Sequence, residues 1–145
     1  MRKMDGGRFA KLTLLKASKT TFLGSPIEAS VEAFENLFPG RDYEITFDCP
    51  EFTSLCPVTG QPDFGEITVR YIPDRLCVES KSLKLFIFSF RNFNTFHEEA
   101  ANIILDKIDA ACSPRWIEVT GRFHPRGGIA INVKCEKTKK GFKKK

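Results

Sequence analysis

The residues with most chemical potential lie in one stretch, Glu51-Phe-Thr-Ser-Leu-Cys-Pro-Val-Thr-Gly-Gln-Pro-Asp63. Cys56 stands between Leu55 and Pro57 in a segment rich in small and turn-forming residues, where a rigid scaffold can present a reactive group. A free cysteine is most often a buried, inert thiol. Asp63 changes the chemistry available, because a tight loop can bring thiol and carboxylate to one pocket. A carboxylate raises a neighbouring thiol's pKa when both ionise, so the pair works only if Asp63 carries a proton or cations dominate locally. Proton donor is then the natural role for Asp63.

Three further clusters are candidates for binding. His97 and Glu98 fall in the first turn of a predicted helix, where free N–H groups favour an anionic side chain. Capping alone accounts for Glu98; alternatively, its carboxylate can accept both adjacent N–H donors of a guanine-like ring edge. Glu79, Lys81 and Lys84 read as a polar surface edge; alternatively Lys81 and Lys84 meet phosphate, which lysine does well as a point charge. Arg126-Gly127-Gly128 offers a second anion contact through exposed backbone N–H groups. Two histidines, with no C-x-x-C and no H-x-x-x-H, give poor support for a metal site. With neither G-x-G-x-x-G nor G-x-x-x-x-G-K present, a dinucleotide must be held without a Rossmann or Walker loop.

The elements that position these residues follow from periodicity. At 145 residues with 41% hydrophobic content, the chain fits one domain with one core. Apolar runs are too short to span a membrane and Met1-Arg-Lys-Met-Asp5 opens no signal peptide, so a cytoplasmic setting is expected. Five cysteines (Cys49, Cys56, Cys77, Cys112, Cys135) without framework spacing suit reduced thiols. The net charge of +5 is located at the ends: residues 137–145 hold six lysines and no acid, leaving 17 basic residues against 18 acidic. This separates the chain from nucleic-acid modules, which carry positive charge on a folded face.

Residues 1–24 read as a mobile arm with an edge strand near Leu12 to Leu15, residues 25–136 as the folded domain, and residues 137–145 as a disordered tail. Ser25-Pro26-Ile27-Glu28 predicts a short helix with Ile27, Val31, Phe34 and Phe38 on its apolar face. Alternation predicts strands at Tyr43 to Phe47 and Ile67 to Tyr71, flanking a proline-rich loop. Leu83 to Phe90, apolar on both faces, reads as a third, doubly covered strand. Thr95 and Glu98 form a capping box for a long helix that ends before Ser113-Pro114. Trp116 to Phe123 and Ile129 to Cys135 make a final hairpin. The expected class is α+β, an antiparallel sheet with helices layered on one face.

Five separated motifs in order resemble one family: Glu51 to Phe64, Val78-Glu-Ser-Lys-Ser-Leu-Lys-Leu85, Phe88-Ser-Phe-Arg-Asn92, Phe96-His-Glu98 and Pro125-Arg-Gly-Gly128. Together they resemble the short, single-module 7-cyano-7-deazaguanine reductases. The resemblance implies a tunnelling fold whose subunits form a ring-shaped homo-oligomer, with active sites at subunit interfaces. It implies NADPH-dependent reduction of a nitrile to an amine on a deazaguanine, toward the tRNA nucleoside queuosine. By that resemblance Cys56 adds to the nitrile as a covalent thioimide and Asp63 supplies protons. Val78, Glu79, Ser80, His97 and Glu98 contact substrate; Ser80, Lys81, Arg126 and Gly127 contact NADPH; no metal takes part. Alternatives are a cyclohydrolase-like zinc enzyme of pterin or purine chemistry and a noncatalytic purine or tRNA binder.

Overall fold

The computed structural model describes residues 11–13 and 22–144. In chain order the elements are β1 (Ala33–Glu35), β2 (Ile45–Leu55), β3 (Pro62–Ile72), β4 (Leu76–Val78), α1 (Ser80–Phe88), α2 (His97–Cys112), β5 (Trp116–Phe123) and β6 (Asn132–Thr138). The four long strands form an antiparallel sheet in the order β2-β3-β5-β6, while β1 and β4 pair separately as an antiparallel ribbon. This is the expected α+β class.

Strict alternation along β3 decides which face of the sheet is dry. Ile67, Val69 and Tyr71 are buried, and across the ladder Ile117, Val119 and Phe123 of β5 are buried beside them. Ala100, Ile104 and Ile108 of α2, with Leu83 and Phe86 of α1, complete one core on that face. Each fully buried aliphatic side chain contributes about 1.5–3 kcal/mol through removal from water. The opposite face is charged: Arg70 meets Glu44 at 2.7 Å and Glu118 at 3.4 Å, and Lys134 meets Glu118 at 2.7 Å.

Two elements differ from the sequence expectation. The helix predicted from Ser25 to Phe38 is a single turn, in which Ser25 accepts from the Ile27 and Ala29 N–H groups, each at 3.2 Å. The chain then extends into β1, with Phe34 paired to Cys77. A short helix is marginal unless its apolar face packs, and Ile27 and Phe38 stay exposed. Strand pairing with β4 therefore prevails. The strand predicted from Leu83 to Phe90 is instead helix α1. A short run apolar on both faces suits either element. Glu79 decides it, since its carboxylate accepts from the Lys81 N–H at 2.8 Å and the Ser82 N–H at 2.7 Å.

Smaller shifts matter for the site. Strand β2 runs through Pro50 with an irregularity between Cys49 and Phe52, so the proline-rich loop shrinks to residues 56–61. The α2 capping contacts sit one residue later than expected: Glu99 accepts from the Phe96 N–H at 3.2 Å and from the Thr95 hydroxyl at 3.3 Å. The expected edge strand near Leu12 falls mostly outside the described residues, although Leu12 itself is buried. The lysine-rich end, expected as a free tail, begins inside β6. Lys137 reaches Asp109 at 2.5 Å, Lys139 reaches Asp74 at 2.6 Å, and Lys144 lies 3.0 Å from the Trp116 ring centre. The acidic domain surface attracts the lysines that the sequence concentrates at this end.

Candidate functional site

Cys56 sits at the tip of the β2–β3 hairpin, locked by two backbone bonds: its N–H donates to the Gln61 carbonyl at 2.8 Å and its carbonyl accepts from Gly60 at 2.9 Å. Gly60 takes φ +69°, a left-handed conformation that glycine adopts readily. Folding the loop back this way turns donors onto the sulfur. The Thr59 hydroxyl, the Thr59 N–H, the Val58 N–H and the Arg126 guanidinium, in descending order of effect, lower the Cys56 thiol to about 7. Cys56 is partly exposed, so the share of the thiol that ionises can be reached.

Asp63 is 5% exposed at the start of β3 and pairs in register with Ser54 of β2. Arg126 Nε meets Asp63 Oδ1 at 2.6 Å, while Arg126 Nη2 donates to the Gln61 and Pro62 carbonyls, each at 3.4 Å. The carboxylate near Cys56 is therefore matched by a cation. Arg126 is held by a tight turn in which its N–H and carbonyl both pair with Ile129 at 3.0 Å. Gly127 and Gly128, at φ +56° and +80°, supply the two left-handed positions such a turn needs.

His97 reaches the same cluster from the start of α2. The Leu55 N–H donates to the Phe93 carbonyl and the Thr95 N–H to the Leu55 carbonyl, both at 3.0 Å, which fastens the approach to α2 against the hairpin. The His97 ring stacks on Phe123, centres 3.9 Å apart and planes 4° from parallel. Its Nε2 lies 3.4 Å from Asp63 Oδ1 without hydrogen-bond alignment. Phe123 fits because Gly65 and Gly121 leave room: a Cβ on Gly121 would stand 2.7 Å from the Phe123 ring, and one on Gly65 would stand 2.6 Å from the Arg122 carbonyl. Glu98, next to His97, is exposed.

The structure thus gathers Cys56, Asp63, His97 and Arg126 at one end of the sheet and places Val78, Glu79, Ser80 and Lys81 at the β4–α1 junction. Val78 N donates to the Tyr71 hydroxyl at 3.0 Å, and both Glu79 oxygens cap α1. Val78, Glu79 and Ser80 line a cavity of about 640 Å³ with Phe34, Tyr43 and Tyr71. Ser80 also lines a groove of about 700 Å³ with Lys84, Arg91 and Phe88 from the α1 side. His124, two residues before Arg126, lines that groove too. Sequence reasoning missed Thr59 and Val58 as thiolate donors and Arg126 as the partner of Asp63. The Thr-Gly turn signal at residues 59–60 was the only trace of the first, and a contact across 63 residues left none of the second. Among the described residues no group of three or more His, Cys, Asp or Glu side chains is placed to hold a metal ion, and no helix is long and apolar enough to cross a membrane.

Comparison with known proteins places these features. The family model described as QueF-like protein matches residues 62–141. The NADPH-dependent 7-cyano-7-deazaguanine reductases of Bacillus cytotoxicus and Bacillus mycoides are each 50% identical over 132 residues, covering 91% of this chain and 80% of theirs. The crystal structure of an archaeosine synthase, QueF-Like, in its apo form superimposes with a TM-score of 0.58 at 28% identity, covering 65% of this chain and 90% of that one. This chain belongs to the family of NADPH-dependent 7-cyano-7-deazaguanine reductases.

Proposed function

We propose that the protein reduces the nitrile of 7-cyano-7-deazaguanine to the primary amine of 7-aminomethyl-7-deazaguanine with NADPH, through a covalent Cys56 thioimide, in the cytoplasmic route to queuosine in tRNA. The observation that carries this reading is the partly exposed Cys56 thiol, lowered to about 7, on the same hairpin as the buried Asp63. At neutral pH about half of such thiols are thiolate, against roughly 1% for a thiol at 9. The thiolate adds to the nitrile carbon, a C–S bond forms, and the nitrile nitrogen takes a proton from Asp63. Covalent capture divides a difficult addition and fixes the carbon for reduction.

NADPH, when bound, supplies hydride, and nitrile to amine is a four-electron change that consumes two. Ser80, Lys81, Arg126 and Gly127 hold it in this reading. Of these four Ser80 lines the groove that runs to His124, in which Lys84 and Arg91 suit phosphates and Phe64 and Phe88 suit rings. Glu98 accepts the paired N–H donors of the deazaguanine edge, and Val78, Glu79, Ser80 and His97 complete the substrate contacts. The 78–80 and 97–98 segments belong to different junctions of one chain, and β2 and β6 are the outer strands of the sheet, available for pairing. Both features support a homo-oligomeric ring whose sites are shared between subunits, built from a single catalytic domain that β6 carries to Thr138.

The test is NADPH oxidation that requires the nitrile. Parent protein is expected to consume two NADPH per amine formed, and Cys56→Ala none. Full turnover by Cys56→Ala would refute the mechanism.

A further inference from the structure

Two buried polar side-chain atoms lack any hydrogen-bond partner among the described residues: Ser54 Oγ and His97 Nε2. Both belong to one location. Ser54, fully buried, is the cross-strand partner of Asp63, so the two side chains leave the sheet on the same face. His97 Nε2 lies 3.4 Å from the Asp63 carboxylate. Buried hydroxyls and imidazoles are nearly always hydrogen-bonded, and two unpaired ones beside a single carboxylate demand a reason.

The groups around Asp63 divide by what they can do with a proton. Arg126, partly exposed, only donates and keeps its charge throughout. The Ser54 hydroxyl can rotate, accepting a hydrogen bond from a protonated carboxyl and donating one to a carboxylate; an imidazole nitrogen can likewise play either part. A carboxyl that gives up a proton and regains it during each turnover needs neighbours of this second kind.

We propose that Ser54 is a positioning residue for the proton donor: its hydroxyl, unpaired in the free protein and on the same face of the ladder as Asp63, takes up a hydrogen bond to that carboxyl during turnover and accommodates it in both protonation states. This rests on the reading of Asp63 as proton donor. In each cycle the Asp63 O–H bond breaks as the substrate nitrogen gains the proton, Ser54 turns to donate to the resulting carboxylate, and solvent restores the proton by way of His97. Ser54 itself neither gains nor loses a proton.

The test uses full-length Ser54→Ala and Ser54→Thr. Removing an unpaired buried hydroxyl relieves a desolvation penalty, so Ser54→Ala is expected to melt at the parent temperature or a few degrees higher. Turnover is expected to fall at least about tenfold, while the covalent Cys56 adduct formed without NADPH accumulates to the parent extent. Ser54→Thr, which keeps the hydroxyl, is expected to recover most of the turnover. Turnover of Ser54→Ala within about twofold of parent would overturn the proposal. Equal loss of adduct and turnover, or a lowered melting temperature with both lost, would assign Ser54 to capture or scaffold and overturn it as well. A parent protein that fails to reduce the nitrile would instead strike at the function itself.

Discussion

Cys56 and Cys112 share a side chain and differ in everything that surrounds it. Cys56 sits at a hairpin tip where hydroxyl and N–H donors, with a guanidinium behind them, stabilise the thiolate and bring it to about 7. Cys112, in the last turn of α2, is 2% exposed, gives its S–H to the Ile108 carbonyl, and is pushed up to about 12 chiefly by burial. Cys49 and Cys135 are raised by the same cause. Placement therefore separates the two: the thiol of the tip is partly exposed and lowered, and that of the helix is packed and raised.

The comparison breaks most sharply at Cys56 itself. Cys56→Ala is expected to lose at least about a thousandfold in turnover, as removal of a covalent nucleophile does; steady-state NADPH oxidation measures it. A smaller effect is expected from Gly121→Ala, which leaves the thiol untouched. Its Cβ would meet the Phe123 ring at 2.7 Å and displace the His97 stacked upon it. Urea unfolding should show about 1–3 kcal/mol of destabilisation from overpacking, with turnover reduced about tenfold. Next comes Thr59→Val, which removes the strongest thiolate donor. The midpoint of Cys56 alkylation by iodoacetamide should rise by about one pH unit, so that reactivity at pH 7 falls about fivefold. The sign follows from deprotonation: a lowered thiol reacts above pH 7 and loses reactivity as pH falls through that value, and the variant must lose it at higher pH. Smallest of all is Cys112→Ala, for which turnover should stay within about twofold while stability drops by about 1–2 kcal/mol. A catalytic loss there, with stability intact, would end the distinction between the two thiols.

The same contrast marks what could be read from sequence. Strand β3 and helix α2 announce themselves by period, because each has one dry face and one wet face. Helix α1 is less legible: from Leu83 to Phe88 it is apolar except at Lys84, which suits strand and helix alike, and the Glu79 cap decides the element. Ser25-Pro26-Ile27-Glu28 carried a sound local signal that long-range pairing of β1 with β4 overrode. At the site, spacing suggested that Cys56 and Asp63 meet, local pattern raised His97 and Arg126 as candidates, and the motif resemblance gave them substrate and cofactor roles. It could not supply what activates the thiol. A carboxylate neighbour posed a contradiction that the fold resolves, since the lowering comes from Thr59, Val58 and Arg126, leaving Asp63 to its own role. Those contacts depend on the curl of residues 56–61 and on a loop between β5 and β6, neither of which has a sequence period.

Mass spectrometry of the intact protein mixed with 7-cyano-7-deazaguanine in the absence of NADPH addresses the central claim most directly. The account predicts a mass gain equal to the whole nitrile, mapped to Cys56 after digestion, forming faster as pH rises through 7 and lost in Cys56→Ala. No adduct under those conditions, or an adduct mapped to Cys49, Cys77, Cys112 or Cys135, would contradict it.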